Sequence, residues 1–231
     1  MKKLFPMPVK AQSFAEMLEE LKAAKPAPAP VDTIPERKYF LIVSEGARTE
    51  PLYFQSFRDQ LPKEMVSTID IHGAGTDTIR VVQAAIDKRE ERRKSATAPP
   101  YDEVWAVFDK DDFPAHNYDN AVALADANGI SSGHSNQCFE LWYLLHFQYL
   151  DTAIRREQYF DRLTEILGFR YAKNTPEVVQ HIRDQGNVQF AIRCAVQLEK
   201  MHTGNTPALS CPHTNVYQLV KNLLAYVPVN S

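Results

Sequence analysis

The chain has 231 residues, 44% of them hydrophobic and 24% charged, with a formal net charge of −3. That length buries most of the unfolded surface without disulfides or a structural metal, and the composition excludes a disordered or collagen-like chain. The charge balance argues against a nucleic-acid binder, whose usual footprint is a positive surplus.

The N-terminal MKKLFPMPVK is followed by a polar, acidic stretch, so no signal-peptide core is expected. Residues 11–25 carry Phe14, Met17, Leu18 and Leu21 at helical spacing and predict an amphipathic helix. PAPAP at 26–30 forces a stiff, extended stretch through which no helix continues. Segment 1–36 therefore reads as an N-terminal arm, its apolar stripe docked on the main domain or on a partner. Tyr39–Val43 is a continuous apolar run, as for a strand buried on both faces. After the loop SEGARTEP a helix is predicted over Leu52–Leu61. Ser67–His72 alternates and predicts a second strand, followed by GAGT at 73–76, read as a turn. A long helix from Thr78 to Lys94 carries Ile79, Val82, Ala85 and Ile86 on one face. Its charged end pairs residues of opposite sign, such as Glu90 with Lys94.

Glu103–Phe108 predicts a third buried strand, ended by DKDDFP. A helix follows over Tyr118–Asn128, stopped by Gly129. Ile130–His134 reads as a short fourth strand and Gln137–Phe147 as a strongly apolar helix. The longest apolar stretch, Cys138 to Phe147, is too short to span a membrane and contains Glu140. Strand and helix thus alternate, which predicts an α/β fold with a mostly parallel sheet flanked by helices, its ligands at the carboxyl ends of the strands. This α/β domain covers 37–150. Residues 151–231 read as a helical C-terminal part packed on it, with helices at 153–167, 176–185, 188–202 and 215–225. Cys138, Cys194 and Cys211 are odd in number and widely spaced, which fits a reduced cytoplasmic protein.

The candidate chemistry falls where that architecture places a site. The first strand ends in Val43-Ser44-Glu45-Gly46, the third in Phe108-Asp109-Lys110-Asp111-Asp112. If the two strands are neighbours, Glu45 and Asp109 or Asp111 leave the same sheet edge. Carboxylates so placed repel one another unless a cation lies between them. Oxygen ligands favour a hard cation, Mg2+ or Mn2+. Gly46, lacking a Cβ, would let the backbone approach a phosphate. Singly, an acid after a strand is a turn residue or a cap, and DKDD a solvated loop; their conjunction points to a site. Glu140 lies in an apolar helix and needs a partner, hydrogen bonds or a metal. Asn136 as the cap would set Glu140 near the positive helix N-terminus, so it is either a structural acid or a metal ligand. The DxDx[TV] pattern of haloacid-dehalogenase-type phosphatases fails here at Phe113 and belongs to a first strand. Cys211-Pro212-His213 with His202 lacks zinc spacing, and His134 is the one histidine beside the predicted site.

Four motifs occur in order: LIVSEGARTEPLYF at 41–54, YDEVWAVFDKDDF at 101–113, SNQCFELWYLLHF at 135–147 and PHTNVYQLV at 212–220. Together they resemble the RloB-like, abortive-infection-type TOPRIM proteins of bacterial and archaeal defence systems, over roughly residues 38–225. The resemblance implies a TOPRIM-like fold, the metal-binding α/β module of topoisomerases, primases and OLD-family nucleases. Carried over by motif, Glu45, Asp109 and Asp111 bind Mg2+ and Asp112 fills an extra acid. Glu50 is the second acid of the first motif, and Glu140 follows Ser135 and Asn136 in the third. It also implies an ABC-type ATPase partner, with this chain the nuclease of the pair. Gln137 stands where proline is usual and His213 where serine is common. Tyr171-Ala172-Lys173 matches a Tyr-x-Lys element, leaving Lys173 to neutralise a phosphate or to sit solvated on the surface.

The activity so implied is metal-dependent hydrolysis of RNA or DNA phosphodiesters in antiviral, anti-phage defence. Two divalent ions about 4 Å apart would clamp the reacting oxygens. Glu45, Asp109 and Asp111 hold the first and Glu140 or Asp112 completes the second. Glu45 or Glu50 serves as general base, and Lys110 or Lys173 stabilises charge. Bound ions would offset the negative charge, so −3 does not exclude a nucleic-acid substrate. The alternative is a non-catalytic TOPRIM-fold binding or regulatory subunit of an ATPase defence complex. No membrane association is expected, and a homo-oligomer is left open.

Overall fold

The computed structural model describes residues 37–61, 69–74 and 77–227. The expected arm, with its helix at 11–25 and its proline-rich linker, lies outside the described residues.

Strand β1 (Phe40–Ser44) is buried along its whole length. It lies between β2 (Ile69–Gly73) and β3 (Glu103–Asp109) in a five-stranded sheet of order β2-β1-β3-β4-β5. Strand β4 (Ser131–Asn136) pairs with β3, and β2, β1, β3 and β4 are mutually parallel. The two-residue β5 (His213–Thr214) closes the far edge in the antiparallel sense. The sheet is flanked by α1 (Thr49–Arg58), α2 (Thr78–Arg93), α3 (Ala115–Ala127), α4 (Glu140–Leu145), α5 (Arg156–Leu167), α6 (Pro176–Gln185), α7 (Val188–Met201) and α8 (Val216–Leu224).

The central strands are apolar without alternation because both faces are covered. Phe40, Ile42, Trp105 and Val107 belong to a large core with α1 and α4–α8, through residues such as Phe54, Trp142, Leu163, Val178, Leu198 and Leu219. Successive side chains of a strand point to opposite faces. Leu41, Val43, Val104, Ala106 and Phe108 accordingly join a second cluster with Val81, Val82 and Ala85 of α2 and Tyr118, Ala121 and Ala125 of α3. The α/β class with a mostly parallel sheet is therefore as expected. Residues 151–227 are largely helical and share the large core with the sheet.

Several boundaries differ, each for a local reason. Helix α1 starts at Thr49, three residues before the expected Leu52, because Pro51 falls in the first turn, where its missing N–H costs no hydrogen bond. Helix α3 starts at Ala115, directly after Pro114. The expected helix over Gln137–Phe147 narrows to Glu140–Leu145. Asn136 does not cap it. Asn136 stays in β4, paired with His213, and its side-chain amide donates to the carbonyls of Pro207 (3.3 Å) and Ala208 (3.1 Å). Strand β5 went unexpected, since two residues show no periodicity. Glu90 pairs with Arg89 and Arg93, both at 3.1 Å, rather than with Lys94. Among the described residues no helix is long and apolar enough to cross a membrane.

Candidate metal centre

Strands β1 and β3 are direct neighbours, with Ser44 opposite Val107. Their ends therefore open at one edge of the sheet. The Glu45 N–H donates to the Val107 carbonyl (2.8 Å) and the Glu45 carboxylate accepts from the Asp109 N–H (3.1 Å). Asp109 is buried, and its Oδ2 accepts from the N–H of Phe139 (3.0 Å), the residue before α4. Its Oδ1 is shielded from water and has no hydrogen-bond partner. Glu50, in the first turn of α1, is 5% exposed; its Oε1 accepts from the Gly46 N–H (3.3 Å) and its Oε2 has no partner. Glu140 is wholly buried at the start of α4. Its Oε1 accepts from the Tyr171 hydroxyl (2.7 Å) and lies 3.4 Å from Lys173 Nζ, while Oε2 is unpartnered.

Burial and mutual repulsion govern the electrostatics. Burial pushes the Glu45 carboxyl up to about 7, against the opposing hydrogen bond from the Asp109 N–H, and the Glu50 charge adds to the rise. Burial likewise raises Glu50, with Glu140 adding to it. Asp109 rises well above the usual carboxylate range, first by burial and then through Glu50, Glu140 and Glu45. Burial lowers Lys173, but the charges of Glu140 and Asp109 outweigh it and hold the ammonium above its ordinary value. The group is thus a set of buried carboxyls that resist ionising together, facing Lys173 and, from α5, Arg156.

The remaining expected residues fall differently. Asp111 adopts a left-handed backbone, φ 48°, and pairs with Arg156 at the start of α5. Asp112 is exposed, and among the described residues no hydrogen bond or ion pair reaches it. Gly46 was expected to admit a phosphate. A Cβ there would instead run into the Glu50 carboxylate, so the glycine makes room for an acid. Gly73 packs against the same loop, where a Cβ would stand 2.8 Å from the Ala47 carbonyl oxygen, and the rest of GAGT at 75–76 lies outside the described residues. Ser135 and Asn136 serve the far edge of the sheet, Ser135 Oγ meeting Thr214 Oγ1 at 3.0 Å. The Lys110 charge acts on Cys211, leaving Lys173 as the lysine beside the acids. His134 lies in the second cluster's face, stacked on Phe108 at 6.0 Å and bonded to Ser132 (3.1 Å).

Two residues escaped the sequence reading. Arg156 opens α5 with no motif around it. Asn215 lies inside the fourth motif: its Oδ1 accepts from the His134 N–H (2.6 Å) and its Nδ2 donates to the Ser132 carbonyl (2.9 Å). It ties β4 to the start of α8 where β5 runs out.

Oxygen donors, unpartnered buried carboxylate atoms and carboxyls that cannot all ionise without a counter-charge are the chemistry of a hard-cation site. Among the described residues, however, no three His, Cys, Asp or Glu side chains already converge on one point. The protein is thus an α/β protein with a buried acidic cluster at the carboxyl ends of adjacent parallel strands. The chain belongs to the RloB-like protein family, whose pattern it matches over residues 40–223. No curated protein and no solved structure matches it.

Proposed function

We propose that this chain is a divalent-cation-dependent nuclease that hydrolyses the phosphodiesters of RNA or DNA in antiviral defence, working with an ABC-type ATPase. The observation that carries the chemistry is the buried group Glu45, Glu50, Asp109 and Glu140, with three carboxylate oxygens lacking any partner. The defensive role and the ATPase rest on membership of the RloB-like family.

Glu45, Asp109 and Asp111 would hold Mg2+ or Mn2+, with Glu140 completing the donor set. Asp112, exposed and separate, is the weakest member. A bound divalent ion supplies positive charge toward phosphate oxygens and acidifies water. Binding would draw the acids together and release Asp111 from Arg156. Glu45, less deeply buried than Glu50, would take a proton from water. Lys173, fixed against Glu140 and cationic throughout the neutral range, offsets charge building on the phosphate. Tyr171 holds Glu140 in place through its hydroxyl.

The pairing of Asp111 with Arg156 and of Glu140 with Lys173 favours a second reading, a binding subunit that does not cut. The two part in one experiment. Purified protein is incubated with labelled RNA and DNA in Mg2+, Mn2+ or chelator. Cleavage that needs the cation and falls at least about a hundredfold in Asp109→Asn supports the nuclease. Equal cleavage by Asp109→Asn removes the assignment. Mn2+ binding by calorimetry without cleavage supports the binding subunit.

A further inference from the structure

Among the described residues two cations border the acidic edge, and only Lys173 has a place in the function proposed above. Arg156 is the other. It occupies the first position of α5, where the exposed N–H groups of the helix already concentrate positive charge. A cation there is unfavourable for the helix, so its position answers to something outside the helix. Its neighbours are acids of the site: its guanidinium pairs with Asp111, and its charge acts on the Glu45 carboxyl and on Lys173. The helix places both cations together. Phe160 lies one turn after Arg156 on the same face, and the Lys173 ammonium stands 5.6 Å from the Phe160 ring.

A guanidinium offers five N–H donors in a rigid fork that matches two oxygens of one phosphate. Arg156 uses one arm of that fork on Asp111. Its Nε is shielded from water and has no hydrogen-bond acceptor. Asp111 is held to this partnership by an unusual backbone, its left-handed φ of 48° fixed by a hydrogen bond from its N–H to the Gln137 carbonyl (3.1 Å). A carboxylate paired with a guanidinium is a poor cation ligand, and a guanidinium paired with a carboxylate is a poor phosphate donor. One contact therefore holds back both.

We propose that Arg156 is a phosphate-binding residue for the nucleic-acid backbone, and that its pairing with Asp111 is a latch which cation and phosphate open together. The inference rests on the nuclease reading for the kind of ligand, a phosphodiester backbone. It assigns to Arg156 a binding role that no motif carries.

Two measurements test it without using activity. Fluorescence anisotropy of short labelled single-stranded RNA and DNA, at saturating Ca2+ over a series of salt concentrations, reads phosphate contact. Arg156→Ala should weaken binding about tenfold and reduce the slope of log K against log salt by about one. Arg156→Lys should fall between wild type and alanine, keeping the charge but losing the fork. Whichever of RNA or DNA shows the larger loss identifies the substrate backbone. Calorimetry with Mn2+ alone reads the latch: Arg156→Ala should bind the ion several-fold more tightly, because Asp111 is freed. A residue that merely supports the fold would weaken both. Should the alanine variant fail to fold, Arg156→Gln serves in both measurements. Unchanged oligonucleotide affinity and salt slope in the variant overturn the inference, as does weaker Mn2+ binding. Wild-type protein that binds neither oligonucleotide also overturns it. The nuclease reading fails on a different result, cleavage that survives Asp109→Asn.

Discussion

Asp109 concentrates the conflict within the site. One carboxylate oxygen is satisfied by the Phe139 N–H, the other is buried and bare, and three further acids press on it. Such a group serves binding at the expense of stability. Asp109→Asn is accordingly expected to raise the thermal midpoint of the cation-free protein by a few degrees, while abolishing the further rise that Mn2+ produces in wild type. Differential scanning fluorimetry in chelator and in Mn2+ reads both. Glu45 gives the pH dependence. Its folded carboxyl lies near 7 and its unfolded one near the ordinary 4.5. Between those values the folded state holds the proton that the unfolded state has lost, so stability falls as pH rises through that window. Glu50 and Asp109, also raised, act in the same sense. The cation-free midpoint should therefore drop from pH 5, just above the lower limit, to pH 7.5, just above the upper one. Glu45→Gln should flatten the fall, and Mn2+ should restore the loss at the higher pH. An unchanged profile in Glu45→Gln would show that the other acids govern it.

At the scale of elements, the site depends on where strands and helices end. Asp109 reaches the Phe139 N–H because that group stands just before α4, where no carbonyl of the helix can accept it. The first and third strands were legible because a parallel strand covered on both faces is written as an unbroken apolar run. The start of α4 was not, because Cys138 and Phe139 begin the apolar run whether or not they are helical. Strand β5 was equally illegible, yet it brings the fourth motif to the sheet. There Asn215 satisfies a buried N–H and a buried carbonyl of β4 at once. Asn215→Ala would leave both unpaired, at about 1–3 kcal/mol each. Urea unfolding followed by the fluorescence of the buried Trp142 should show a loss of about 2–6 kcal/mol with an unchanged slope. A loss below about 0.5 kcal/mol would mean that the two groups find other partners.

For the whole molecule, the net charge does not by itself exclude a nucleic-acid partner. The net value of −3 includes a buried acidic cluster that a bound cation would offset. Nucleic-acid binding should thus depend on the divalent ion. In chelator at low salt the affinity for single-stranded RNA or DNA should be weak, and Mn2+ or Ca2+ should tighten it at least about tenfold. Anisotropy titrations decide this, and equal affinity in chelator would place the binding surface elsewhere. The helices from α5 onward matter here as well. They share the core of the sheet, and with the loop after α5 they deliver Arg156, Tyr171 and Lys173, the cations and the hydroxyl that border the acids.

By itself the sequence determined the α/β class, the central strands and the acids at their ends. These are properties of periodicity and of position next to a strand end, and both are local. Only the tertiary structure decided which charges meet. Gly46 proved to accommodate Glu50, Lys110 to stand by Cys211, and Asp111 to be claimed by an arginine 45 positions later in the chain. Those outcomes depend on how distant segments pack, and the energy of a buried charge is set by the partner that packing brings to it.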